Sequence, residues 1–100
     1  MYVWEYEVLP GKEPEFVAAY GPRGSWAELF RRNAGYIRTE LHRDRGNPRR
    51  FVTLDYWESA EHWDRFRREC STEFEELDSR FEELTVSERE IGRFGRIEDE

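Results

Sequence analysis

Two stretches decide the fold of this chain: Gly35-Tyr-Ile-Arg-Thr-Glu-Leu-His-Arg-Asp44 and Arg50-Phe-Val-Thr-Leu-Asp-Tyr-Trp-Glu-Ser-Ala-Glu-His-Trp-Asp-Arg-Phe66. Tyr36 to Arg43 and Arg50 to Trp57 alternate apolar and polar residues with the two-residue period of a strand. Between them, Asp44-Arg45-Gly46-Asn47-Pro48 is dense in turn formers, so the pair reads as a hairpin. Ser59 then stands where a helix cap is needed. Trp63, Phe66, Cys70, Phe74, Leu77, Phe81 and Leu84 follow at three- and four-residue steps, which makes one apolar helical stripe. Ser71 and Thr72, with Glu75 after them, allow a bend near Cys70.

Working outward, Tyr2 to Leu9 alternates as a strand, with Tyr2, Trp4, Tyr6 and Val8 on one face, and Pro10-Gly11 ends it. Glu13 to Tyr20 reads as a short helix, with Pro14 tolerated in its first turn. Gly21-Pro22-Arg23-Gly24 breaks it. Ser25 and Glu28 have the spacing of a capping box for a second short helix, and Gly35 is placed to end that helix as a C-cap. Ser87 to Ile97 fits a last strand, weakened by Gly92 and Gly95. Glu98-Asp99-Glu100 reads as a frayed end. The order β-α-β-β-α-β is the ferredoxin-like split βαβ pattern: an α+β fold, a four-stranded antiparallel sheet with helices on one face.

The hairpin register predicted from Arg43 opposite Arg50 sets Arg38 opposite Asp55 and Tyr36 opposite Trp57. One strand face then carries Leu41 with Val52, Thr39 with Leu54 and Ile37 with Tyr56. The other holds the Arg38–Asp55 pair between aromatic ends, and it is the face expected to meet a second copy of the sheet or a ligand.

At 100 residues the chain is expected to form one domain over residues 1–100. A net charge of −7 argues against a nucleic-acid partner. No apolar run is long enough to span a membrane, and no signal-peptide order opens the chain. The single cysteine, Cys70, permits no internal disulfide, and a cytoplasmic location is the default. Charged residues make up 39% of the chain, which alone suggests weak burial, but aromatics make up 16%. Each buried ring removes on the order of 150–250 Å² from water, so a few rings can build a core or wall a pocket for a flat ligand.

Gly35-Tyr36, the paired strands and Trp57-Glu58-Ser59 resemble the core of the antibiotic biosynthesis monooxygenase family, small dimeric α+β barrels. The resemblance covers nearly the whole chain in element order. It implies a homodimer formed through the sheet faces. It also implies a cofactor-independent monooxygenase of a small quinol- or anthrone-like aromatic substrate; the alternative is a non-catalytic dimeric binding or accessory protein on the same fold. The cofactor-free chemistry needs a base, donors that hold the resulting anion, and a dry flat pocket. Histidine suits the base, so His62 is the catalytic candidate. Trp26, Tyr36, Arg38, Trp57 and Trp63 are the ligand-binding candidates. Each has a plainer reading: an exposed helix-start histidine, core aromatic rings, a cross-strand ion pair. No metal, flavin or haem is expected. His42, His62 and Cys70 lie on different elements, and no glycine-rich phosphate loop is present. The haem-degrading branch resembles an Asn on the first strand and a later His on the second helix, and neither stands here.

Overall fold

The computed structural model describes residues 1–97; the terminal Glu98-Asp99-Glu100 lie outside them. The elements run β1 (Tyr2–Val8), α1 (Glu13–Tyr20), α2 (Ser25–Phe30), β2 (Tyr36–Asp44), β3 (Asn47–Trp57), α3 (Ala60–Glu69), α4 (Ser71–Phe81), a 3₁₀ turn at Glu82–Leu84 and β4 (Thr85–Arg93). The strands form one antiparallel sheet in the order β2-β3-β1-β4. This is the ferredoxin-like α+β arrangement that the element order predicts. No helix among the described residues is long and apolar enough to cross a membrane.

Alternation sorts the side chains of the central strands. Tyr2, Tyr6 and Val8 of β1 and Phe51, Thr53, Asp55 and Trp57 of β3 are buried, while Val3, Val52, Leu54 and Tyr56 are half-buried. The buried set packs against Phe16, Tyr20, Trp26, Leu29, Phe30 and Phe66 from the helices. Phe30 is a hub of this core. Its ring lies 5.2 Å from Phe66, 5.6 Å from Trp57 and 5.6 Å from Tyr36, in edge-on or tilted arrangements. Such pairs contribute ~0.5–1.5 kcal/mol each beyond the area they bury. The aromatic face of the hairpin is therefore the inner one. This corrects the expectation that Phe51 and Trp57 face outward: the helices cover these rings, and the aliphatic face is left open.

The hairpin register also differs from the expected one. Tyr36 does pair with Trp57, but the next pair is Arg38 with Tyr56, followed by Thr39 with Asp55 and Leu41 with Thr53. Ile37 is a surplus residue in the ladder, a β-bulge, and it moves the register by one. Arg38 thus does not meet Asp55. Its guanidinium lies over the Tyr56 ring at 3.9 Å and pairs with Glu40 at 3.1 Å on the outer face. At the far end the turn is tighter than expected. Asp44 pairs with Asn47 around Arg45-Gly46, and Asp44 Oδ1 accepts from the Gly46 N–H at 2.7 Å. Pro48 has no N–H for a ladder, and regular pairing with β2 resumes only at Phe51.

Ser59 caps α3 as expected, its hydroxyl accepting from the His62 N–H at 3.2 Å. The long stripe bends at Cys70, where φ −116° and ψ 28° separate α3 from α4. Two other end signals act differently. The capping box does not form: α2 begins one residue early, and Glu28 N–H donates to the backbone oxygen of Gly24. Gly35 does not cap α2, which ends at Phe30 with Arg31 as its C-cap. A Cβ on Gly35 would overlap Cγ of His62, so this glycine is required by close packing.

Candidate functional site

A cavity of about 330 Å³ lies between the sheet and the helices, on the side toward β4. The register builds its floor. Across the inner face, Thr39, Asp55, Tyr2 and Arg93 form one row, Thr53, Trp4 and Glu90 the next, and Tyr6 and Glu88 a third. Tyr20, Trp26 and Phe30 wall it from α1 and α2; Trp63, Arg67, Phe74 and Asp78 close it from α3 and α4. The opening exists because the C-terminal elements pack loosely: α4 has no fully buried residue, and β4 is exposed along most of its length.

Asp55 is the one buried carboxylate among the described residues, 9% exposed among aromatic rings. Among the described residues the only hydrogen bond to its side chain comes from Thr39, whose Oγ1 donates to Oδ1 at 2.6 Å. Tyr36 OH lies 2.8 Å from the same Thr39 Oγ1. Burial pushes the Asp55 carboxyl from its ordinary 3.8 up to about 6; the Thr39 hydroxyl and the chain's amino terminus only partly offset this. Burial also raises the phenols of Tyr6 and Tyr20 on the cavity wall, so both stay neutral.

Among the described residues, three donors that line the same cavity lack hydrogen-bond partners. Trp26 Nε1, Thr53 Oγ1 and Arg67 Nη1 are buried without a hydrogen bond, and all three residues line the cavity. Trp26 Nε1 and Thr53 Oγ1 approach the phenols of Tyr20 and Tyr6 without completing a bond. Arg67 is held by its guanidinium lying 3.8 Å over Phe74. A buried polar atom without a partner costs about 1–3 kcal/mol. A cavity lined by such atoms and by one buried carboxyl can take a proton from a ligand and hold the resulting negative charge.

The candidates chosen from the sequence divide. Trp26 and Trp63 line the cavity. Trp57 is core, 7% exposed, and Tyr36 stands behind the lining, bonded to Thr39 and packed on Phe30. Arg38 stands on the opposite face of the sheet. His62 is outside the cavity lining: its Nδ1 is 2.7 Å from the Ser59 hydroxyl and its ring rests on Gly35. Thr39, Thr53 and Arg67 carry no site expectation from the sequence, and Asp55 enters there only as the cross-strand partner of Arg38, a structural pair rather than an acid/base couple. The signal for Asp55 was present: it shares a strand face with Phe51, Thr53 and Trp57, a lone carboxyl in a row otherwise suited to burial. Among the described residues no group of His, Cys, Asp and Glu is arranged to hold a metal ion.

A sequence model of antibiotic biosynthesis monooxygenases matches residues 1–77. The chain belongs to this family. Among solved structures it is similar to a proposed antibiotic biosynthesis monooxygenase from Bordetella bronchiseptica, at 23% identity and a TM-score of 0.71 over 96% of this chain and 95% of that one. It is also similar to a protein from Shewanella oneidensis, at 25% identity, TM-score 0.64, over 88% of this chain and 82% of that one. A third similar structure is a cofactor-independent oxygenase from Streptomyces nogalater, at 17% identity, TM-score 0.65, over 98% and 95% of the two chains. These likenesses bear on the fold that this family member shares. No curated protein matches the sequence.

Proposed function

We propose that this family member is a cofactor-independent monooxygenase of a small phenolic or enolic aromatic substrate, with Asp55 as the base. The carrying observation is the buried Asp55 carboxyl, held near pKa 6, on the floor of an aromatic-walled cavity whose lining also carries three unpartnered donors. The Asp55 carboxylate takes the proton of the substrate hydroxyl. An ordinary phenol titrates near 10, so the transfer is uphill by on the order of 5 kcal/mol. Hydrogen bonds to a charged group contribute about 1.5–3 kcal/mol each, so two or three of Trp26, Thr53 and Arg67 suffice to offset it. The electron-rich anion passes an electron to dioxygen, and the radical pair closes a C–O bond to give a peroxide. Protonated Asp55 returns its proton to the peroxide. Loss of water leaves a new carbonyl, so a CH₂ carbon and O₂ become C=O and H₂O. Asp55 takes the role first sought in His62 because it, and not His62, lines the cavity. Trp26 and Trp63 wall the space without filling it, which favours catalysis over a purely structural use of the fold.

The open sheet face supports a homodimer in the same reading. Val3, Val52, Leu54 and Tyr56 are only half-buried in one chain, and Ile37 is 50% exposed beside them. Light scattering at micromolar concentration is expected to give twice the chain mass; a monomer removes this part of the proposal.

The function is tested by oxygen uptake with a panel of anthrones and quinols, alongside thermal shift with the same compounds. Uptake is expected with at least one, with an acid limb near pH 6, and Asp55→Asn is expected to lower it ~10²-fold or more. Binding without uptake would assign the chain to the non-catalytic alternative. Uptake undiminished in Asp55→Asn would remove Asp55 from the mechanism.

A further inference from the structure

The ladder between β2 and β3 contains one residue too many, and the residue it displaces matters. Continuing from Tyr36–Trp57 without a bulge, Arg38 would stand opposite Asp55. With Ile37 looped out of register, Thr39 stands there instead. An arginine opposite this carboxylate would hold it ionised far into acid. A threonine offers one hydroxyl. That hydroxyl has a single hydrogen, and it is given to Asp55 Oδ1 at 2.6 Å. The 2.8 Å contact with Tyr36 therefore runs from the Tyr36 O–H to Thr39 Oγ1. Burial raises the Tyr36 phenol, which keeps that hydrogen in place. Each hydroxyl polarises the next, so the second strengthens the first. Asp55 Oδ2 makes no hydrogen bond among the described residues.

We propose that Thr39 and Tyr36 are positioning residues for Asp55, delivered by the bulge at Ile37: they clamp Oδ1 and leave Oδ2 for the ligand. This rests on Asp55 being the working carboxyl of the cavity, as in the function proposed above. The remaining charged groups around it are accounted for. Just before β1 stands the Met1 amino terminus, which lowers the Asp55 pKa weakly. From β4, Arg93 lies in the same row but is bound to Glu90 at 2.6 Å, and Glu88 stands further along. Arg67 of α3 and Asp78 of α4 face the cavity from above. None of these hydrogen-bonds Asp55.

The experiment is a titration of the Asp55 carboxyl carbon by NMR in the ligand-free full chain, for the wild type, Thr39→Val, Thr39→Ser and Tyr36→Phe. Thr39→Val is nearly isosteric and removes the hydrogen bond that favours the charged form. Its midpoint is expected to rise by about one pH unit. Tyr36→Phe is expected to raise it by less, and Thr39→Ser to restore the wild-type value. The acid limb of oxygen uptake is expected to move by the same amounts and to converge at high pH. A loss that is merely structural would lower the rate at every pH and leave the midpoint alone. An unchanged midpoint in both Thr39→Val and Tyr36→Phe overturns the proposal, and Tyr36→Phe decides it if Thr39→Val does not fold. Because the titration needs no substrate, absent oxygen uptake would sink the proposed function without touching this result.

Discussion

On the outer face of the sheet, Glu5 sits among cations: Arg50 binds one carboxylate oxygen and Arg89 lies 3.0 Å from the other. Hydrogen bonding to Arg50 holds its carboxyl below the usual range. On the inner face, in the same β1–β3 ladder, Asp55 has no cation bonded to it and is pushed up to about 6. The two carboxylates differ in which side of a pleat they occupy, and the pleat decides both partner and solvent. Arginines at Arg38, Arg50 and Arg89 all serve the outer face, where water screens them and ion pairs contribute little to stability. Around Asp55 the inner face offers hydroxyls and rings, so this buried charge is destabilised and chemically available.

The comparison can be broken most forcefully at the hairpin. Phe51→Ala is expected to cost ~3–5 kcal/mol in urea unfolding, because Phe51 is 2% exposed and packed 5.0 Å from the Phe16 ring. Its outer-face neighbour Val52→Ala should cost clearly less; equal losses would mean that the two faces are not as unlike as described. Next comes the buried charge itself. Unfolded, Asp55 ionises near 3.8; folded, at about 6. Its raised folded value favours the fold below pH 4 relative to higher pH, and that advantage disappears as pH rises through about 6. Asp55→Asn is therefore expected to stabilise the protein by ~3 kcal/mol at pH 7.5, and by little at pH 4. A destabilised variant at pH 7.5 would show that the carboxylate is better compensated than its surroundings indicate.

A smaller loss, ~1–3 kcal/mol, is expected for Gly35→Ala, whose new methyl meets the His62 ring. Adding His62→Ala should recover most of it, and a double-mutant cycle without coupling would refute the contact. The smallest effect belongs to Glu5→Gln. It should lower the melting temperature slightly at low salt and not at all in molar salt, where exposed pairs are screened. A large salt-independent loss would place Glu5 in a drier setting than the outer face provides.

Much of the fold was legible because it rests on local rules. The hairpin, the Ser59 cap and the break near Cys70 follow from alternation, side-chain chemistry and helical spacing. The register was not legible, because a bulge costs no pattern: alternation reads the same on either side of Ile37, and opposite charge made Arg38 the obvious partner for Asp55. The cavity walls Trp26 and Trp63 were legible as large rings, although rings alone do not tell core from pocket. The base was missed for a chemical reason. Histidine titrates near neutrality when unperturbed, whereas an aspartate does so only when its surroundings raise it; here burial does so, and burial depends on the register. Gly35 reads as a helix stop because glycine does end helices; its partner, His62, is too distant in sequence to be inferred.

The position of β1 sets the order in which this molecule can assemble. It lies in the middle of the sheet, between β3 and β4, yet both partners follow it by some tens of residues in the chain. The β2–β3 hairpin needs only a two-residue turn, Arg45-Gly46, and can close within microseconds. β1 must wait for loops of much greater length to close, which slows folding. During that interval Tyr2, Trp4 and Tyr6 are uncovered on an unpaired strand. Refolding is therefore expected to be limited by docking of β1, and yield to fall with protein concentration as uncovered strands find one another.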